Sequence, residues 1–365
     1  MSTKPQLVLH IGTMKSGTTY LQNGLLSRTE ELESTNWLYP MKFAPARGAI
    51  NHERACYGLV GNHIPWVDAT TQKQMQPLWE KLSNEISNTN QNVLLSAEAL
   101  AAMLEDGIEL LLESLPERDI RIVITARDLA RVLPSSWQQS VRNGRPFGYQ
   151  EYFERIKRAA ELPVRESVGS NFWRSYNLTE VINRWQKFFD LGKITFVTVP
   201  QSQNSDSLWK RFITAINLPI DPAEPKFNDK QAHTAITWPE AEVLNELNQK
   251  WAKQLKTKKN RNQIRRRIVQ EGFQARSERG RTIGLTQAWL EFAHSWADQD
   301  VAGLVELGVR IHGDINDLRV DPQLLPVEPC SAAEIAEARA VADRFLNRIR
   351  MQSVANLFGI TKRHR

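Results

Sequence analysis

Short apolar runs alternate with longer helical patterns over the first part of the chain. "QLVLHIG" is a buried-strand pattern ended by glycine, "NVLLSAE" and "DIRIVITAR" are apolar runs closed by polar or charged residues, and "KITFVTV" is a fourth run of strand length. Between them, "SGTTYLQNGLLSR" sets Tyr20, Leu21 and Leu25 at helical spacing, and "LARVLPSSWQQSV" and "TEVINRWQKFFD" repeat that period. Strands separated by helices predict an α/β fold whose parallel sheet is covered on both faces. Ligands of such sheets bind beyond the carboxyl ends of the strands, where Lys15, Glu98 and Arg127 emerge.

Past about Pro225 the strand-length runs stop. "WPEAEVLNELNQKWAKQLKTKKNRNQIRRRIVQEG", "LTQAWLEFAHSWADQD" and "SAAEIAEARAVADRFLNRIRMQ" read as long helices, so residues 1–228 are expected to form the α/β core and residues 229–365 a mainly helical extension packed on it. Trp185, Trp251 and Trp289 fall at apolar helical positions, where packing is their expected job.

Charge changes this picture little. Lys and Arg outnumber Asp and Glu by 47 to 41 in 365 residues, and the surplus sits partly in "KTKKNRNQIRRR" and the terminal "TKRHR", which read as a solvated helix face and a frayed tail. No sign of a zinc finger, an RNA-recognition module or a helix-turn-helix accompanies it, so nucleic acid is not the expected partner, whereas a polyanionic small molecule suits the excess. Cys56 and Cys330 match neither a disulfide framework nor a metal-ligand spacing. The N-terminal apolar run is too short for a secretion signal and no stretch has the length of a membrane span, so a cytoplasmic protein without membrane insertion is expected.

The candidate chemistry begins in "LHIGTMKSGTTYLQNGL". It opens like a phosphate-binding loop and departs from the order G-x-x-x-x-G-K-[ST], because Lys15 precedes Gly17 and two threonines follow. A loop between a strand and a helix N-terminus offers unpaired N–H groups and the positive end of the helix dipole. Gly17 lets the backbone approach an anion, Thr18 and Thr19 add hydroxyl donors, and Lys15 adds a mobile charge. By itself this is also the pattern of a capped helix start. A second element, "TARDLARVLPSSW", places Arg127 at the end of a strand and Ser135 eight residues on, a guanidinium and a hydroxyl suited to one phosphate. Taken alone, Arg127 is equally suited to pairing with Asp128.

Together the two elements resemble the bacterial-type cytosolic sulfotransferases that use 3′-phosphoadenosine 5′-phosphosulfate. The family motif P-K-S-G-T-T-[WY]-L appears as "MKSGTTYL", with Met14 in place of proline. The resemblance is strong over residues 5–30 and 118–142 and looser to about Pro219. It implies a P-loop-like three-layer fold, with Lys15, Thr18 and Thr19 on the 5′-phosphosulfate, Ser16 and Gly17 in the same loop, Tyr20 near the adenine, and Arg127 and Ser135 on the 3′-phosphate. Family members often close that site with a late basic loop. "ARSERGRTIG" offers Arg276, Arg279 and Arg281 in a different residue order, and Arg279 is the candidate taken from it.

The implied reaction moves a sulfuryl group in line to a hydroxyl or amine of a small-molecule or glycan acceptor, with no metal required. Lys15 is the candidate to meet charge developing on the leaving oxygen. A general base must take the acceptor's proton. Glu98, closing the "NVLLSAE" strand, holds the position where family members often place an acid, although a glutamate there also suits a helix start beside Ser96. His52 and His63, in "INHERACYGLVGNHIPW", are the alternative bases and candidate acceptor contacts. Two other readings stay open: a nucleotide-dependent kinase, weakened by the missing G-K-[ST] step, and a non-catalytic protein that uses the loop as an anion clamp. Acceptor identity and oligomeric state are not legible in the sequence.

Overall fold

A computed structural model of the chain describes residues 4–44, 49–64, 66–163, 173–202, 206–226, 235–254, 258–277 and 279–357. Six strands, β1 (Gln6–His10), β2 (Trp37–Leu38), β3 (Asn92–Ser96), β4 (Asp119–Ala126), β5 (Ile194–Thr198) and β6 (Arg310–His312), form one sheet in the order β2-β3-β1-β4-β5-β6. Every neighbouring pair is parallel, with Leu9 of β1 opposite both Leu95 of β3 and Ile122 of β4.

The uninterrupted apolar runs have a direct structural cause. Side chains alternate between faces along a strand, and both faces here are covered. Leu7, Leu9, Val93, Leu95, Ile122, Ile124 and Phe196 share one core with the helices Glu53–Val60, Ala69–Ser87, Glu105–Glu113 and Leu178–Trp185. Val8, Leu94, Val123 and Val197 share a second core with Leu21 and Leu25 of the helix Thr18–Ser27 and with Trp209, Phe212 and Ile213 of the helix Leu208–Ala215. The result is the expected three-layer α/β arrangement.

The chain divides into two compact units. The first comprises Met1–Val132, Arg155–Phe227 and Glu291–Leu324 and holds the sheet. Residues 291–324, expected in a helical extension, belong to it because β6 pairs with β5, Thr195 opposite Arg310. A buried ion pair locks this corner: Arg211 binds Asp317, which also accepts from the Thr198 hydroxyl at 2.9 Å and from the Gln201 N–H at 3.1 Å. The second unit comprises Leu133–Glu154, Asn228–Leu290 and Leu325–Arg365. Within it, Tyr149 stands 5.2 Å from Trp137, 4.5 Å from Phe153 and 4.6 Å from Trp238, ring centre to ring centre, and its hydroxyl donates to Gly284 O at 2.9 Å. Trp185, Trp251 and Trp289 are all buried, as their helical positions predict. Among the described residues no helix is long and apolar enough to cross a membrane.

Candidate active site

β1 lies between β3 and β4, so the chain segments leaving these three strands emerge side by side at their carboxyl ends. From β1 the chain enters the loop that starts the helix Thr18–Ser27. Lys15 and Gly17, with Ser16 between them, both take left-handed backbone conformations, at φ +68° and +81°, of the kind from which anion-binding concavities of backbone N–H groups are built. A Cβ at Gly17 would also press on the Leu208 side chain, which would have to shift. The N–H groups of Tyr20 and Leu21 both bond Gly17 O, at 3.0 and 3.2 Å. The amides of Thr18 and Thr19 precede them and have no acceptor within the helix.

The loop side chains divide into two sets. Ser16 is fully buried, donates to Thr13 O at 2.6 Å and meets the Thr125 hydroxyl at 2.8 Å, so it fastens the loop to the end of β4. Thr18 is also buried, and its hydroxyl donates to the carboxylate of Glu98. Thr19 is exposed at the surface, and Lys15 and Tyr20 are half-buried.

Glu98 begins a 3-10 turn, Glu98–Ala102, just past β3. Loss of solvent raises its carboxyl above the usual range, while the Thr18 hydroxyl and the positive charge of Lys15 pull the other way. Sequence reasoning missed the residue next to it in space. Glu53 opens the helix Glu53–Val60, and its carboxylate accepts the Ala99 N–H at 3.0 Å and the Tyr57 hydroxyl at 2.9 Å. Trp66 in turn donates to the Tyr57 oxygen at 3.1 Å. Burial and the neighbouring Glu98 charge push Glu53 up to about 7. The "NHER" context holds one faint signal, an acidic residue at a helix start; its reach to a turn past another strand leaves no local trace.

The two histidine candidates sit elsewhere in the network. His52 is fully buried. Its Nδ1 accepts the Ser96 N–H at 2.9 Å, which leaves Nε2–H to donate to Pro40 O at 2.8 Å. Both ring nitrogens thus serve the backbone, and burial lowers its pKa to about 4. His10, at the end of β1, is a similar structural histidine, with its ring between Ser96 Oγ at 2.9 Å and Thr125 Oγ1 at 3.1 Å and burial lowering it to about 3. His63 ends a 3-10 turn, Gly61–His63, and packs against Gly107 of the Glu105–Glu113 helix.

Arg127 leaves β4 half-buried, and its Nε is a buried donor with no hydrogen-bond acceptor among the described residues. Asp128, the alternative partner for Arg127, is bonded to another residue. Asp128 accepts the Arg131 backbone N–H at 3.0 Å and pairs with the Arg131 guanidinium, capping the helix Leu129–Arg142. Loss of solvent and the Arg131 charge lower the Arg127 pKa, against the pull of Asp128. An unpaired shielded guanidinium of this kind fits an anion. Ser135 is half-buried within the Leu129–Arg142 helix. Arg279 is committed elsewhere: it and Arg276 bind fully buried Glu240, Arg279 Nη2 at 2.6 Å and Arg276 Nη2 at 2.7 Å, and Arg279 also donates to Ala235 O at 2.8 Å. That guanidinium is occupied by a carboxylate, which removes it as the candidate for a phosphate.

No protein-family model matches this chain, and no curated protein matches it. Among solved structures, the sulfotransferase domain from the curacin biosynthetic pathway matches at 15% identity and a TM-score of 0.32, covering 74% of this chain and 99% of that one.

Proposed function

We propose that this protein transfers a sulfuryl group from 3′-phosphoadenosine 5′-phosphosulfate to a hydroxyl or amine of a small-molecule or glycan acceptor. The observation that carries the reading is the shielded carboxylate of Glu98, hydrogen-bonded to Thr18 of the anion loop and within reach of the Lys15 charge. An anion loop alone is a clamp; an anion loop with a raised-pKa carboxylate beside it has the parts for proton removal during transfer.

In this reading Lys15, the amides of Thr18 and Thr19 and the exposed Thr19 hydroxyl hold the phosphosulfate end of the donor, Tyr20 lies toward its adenine, and Arg127 with Ser135 holds its 3′-phosphate. The left-handed turns at Lys15 and Gly17 and the orphaned Arg127 Nε support this fit. When bound, the donor supplies a sulfuryl group already activated by its link to phosphate. Lys15 opposes the negative charge that grows at that link, an interaction stronger in the transition state than before it. Thr18 fixes one oxygen of Glu98, and the other takes the acceptor's proton. We assign the base to Glu98 rather than His52, whose two nitrogens are already bonded to backbone groups.

The test measures acceptor-dependent release of 3′-phosphoadenosine 5′-phosphate from the donor over a panel of phenols, amines and sugars, beside calorimetry of nucleotide binding. Glu98→Gln should bind 3′-phosphoadenosine 5′-phosphate as the unaltered chain does and lose about 10²–10⁴-fold in turnover. Magnesium-dependent ATP turnover, or near-normal turnover by Glu98→Gln, would refute the reading.

A further inference from the structure

The second unit holds a group of cations that the nucleotide reading does not use. A cavity of about 410 Å³ is walled by the guanidiniums of Arg142, Arg265 and Arg266 and by carboxamides that include those of Asn143 and Asn262, with no carboxylate in its lining. Arg265 and Arg266 come from the basic run "KTKKNRNQIRRR", read from the sequence as a solvated helix face. In the structure Arg265 is 6% exposed, so that helix, Lys258–Arg267, turns one of its charges inward.

The partners of Arg265 are neutral. Its Nε donates to Asn248 Oδ1 and its Nη1 to Asn262 Oδ1, each at 2.8 Å. The guanidinium lies against Gly144, where a Cβ would collide with it, at the C-terminal end of the Leu129–Arg142 helix. Gly144, at φ +87°, ends that helix while the Arg145 N–H bonds Ser140 O at 3.0 Å. The negative end of a helix dipole amounts to about half an elementary charge, so it offsets part of one guanidinium and leaves the others uncompensated. Arg142, on the last turn of the same helix, has no hydrogen-bond or ion-pair partner among the described residues, and Arg266 bonds only the Gln270 amide oxygen, at 3.2 Å. Loss of solvent lowers the pKa of both Arg142 and Arg265, and the charge of Arg261 adds to the effect on Arg265. A shielded cation with neutral partners is unfavourable until an anion meets it.

We propose that this cavity binds a phosphate or sulfate ester, with Arg142, Arg265 and Arg266 on the anion and the Asn143 and Asn262 amides on the polar groups of the body that carries it. Its volume suits a small molecule. The site stands on its own residues, independent of the sulfuryl-transfer reading.

Calorimetric titration with glucose 6-phosphate and glucose 6-sulfate tests it in a full-length Lys15→Ala/Arg127→Ala chain, where the anion loop cannot account for binding. That chain should bind one equivalent of ester saturably, and adding Arg142→Ala and Arg266→Ala should weaken binding at least about tenfold. Arg266 is exposed, so Arg266→Ala alone keeps the fold and should still weaken binding several-fold. Tighter binding of the phosphate ester or of the sulfate ester identifies the source of the anion, and either supports the site. Heat that disappears with Lys15 and Arg127, heat unchanged by the Arg142 and Arg266 substitutions, or no saturation by about 10 mM ester overturns it.

Discussion

Replacing Glu53 with glutamine probes the carboxylate pair through stability, with no need for an acceptor. In the folded protein Glu53 is pushed from an ordinary 4.5 up to about 7, first by loss of solvent and then by the charge of Glu98, against hydrogen bonds from the Ala99 and Glu98 backbone and the Tyr57 hydroxyl. Cys56 on the same helix and Lys15, which acts through Glu98, complete the titratable surroundings. The folded state therefore holds this proton more tightly than the unfolded state. The associated stability is fully present below about pH 4.5 and is lost as pH rises through about 7. A displacement of that size corresponds to roughly 3 kcal/mol between the two limits. Glutamine keeps an acceptor for the Ala99 N–H and cannot ionise; its imperfect hydrogen bonding costs about 1 kcal/mol. The variant should thus be less stable than the unaltered chain by about 1 kcal/mol near pH 4.5 and more stable by about 2 kcal/mol near pH 8. Urea unfolding followed by tryptophan fluorescence at several pH values measures the difference, and taking the difference cancels the groups that do not interact with Glu53. Because the two carboxyls titrate as a pair, the curve reports their joint protonation. A difference that stays flat from about pH 4.5 to about pH 8 would refute the reasoning.

Arg127→Ala should lower the affinity for 3′-phosphoadenosine 5′-phosphate at least about tenfold while leaving that for adenosine 5′-phosphate nearly unchanged, because only the first ligand carries the anion assigned to Arg127; equal losses for the two nucleotides in calorimetry would remove Arg127 from the 3′ site. Gly17→Ala must hold an alanine at φ +81° against Leu208, so a loss of about 1–2 kcal/mol or more in thermal or urea unfolding is expected, together with weaker nucleotide binding.

The interior of the sheet was readable from local pattern. β1, β3, β4 and β5 are covered on both faces, so each needs an unbroken apolar run, and such runs stand out at strand length. The edge strands β2 and β6 are two and three residues long. Arg310–His312 carries a basic residue at each end, so nothing local separates it from a loop, and it becomes a strand only because β5 offers it an edge. In the basic run, charge was visible but direction was not: Arg265 is buried by its packing against Gly144 and Asn248.

The candidate site divides in the same way. The order Lys15, Ser16, Gly17, Thr18, Thr19 between a strand and a helix marked the turn that we propose holds an anion, because backbone conformation, amide exposure and hydroxyl spacing there depend on neighbours within a few residues. Likewise, an acid at Glu98 and a guanidinium at Arg127 followed from strand ends that the apolar pattern already marked. Tertiary structure alone decided what each group is free to do. It turned Ser16 inward onto Thr125, bound both nitrogens of His52 to Ser96 and Pro40, gave Arg279 to Glu240, and brought Glu53 up to the turn that carries Glu98. Most of these partners are separated by dozens of residues or more, and their approach is set by strand register and helix packing. Hydrogen-bond occupancy and loss of solvent, which determine whether a carboxylate or an imidazole is available to take a proton, arise only at those contacts.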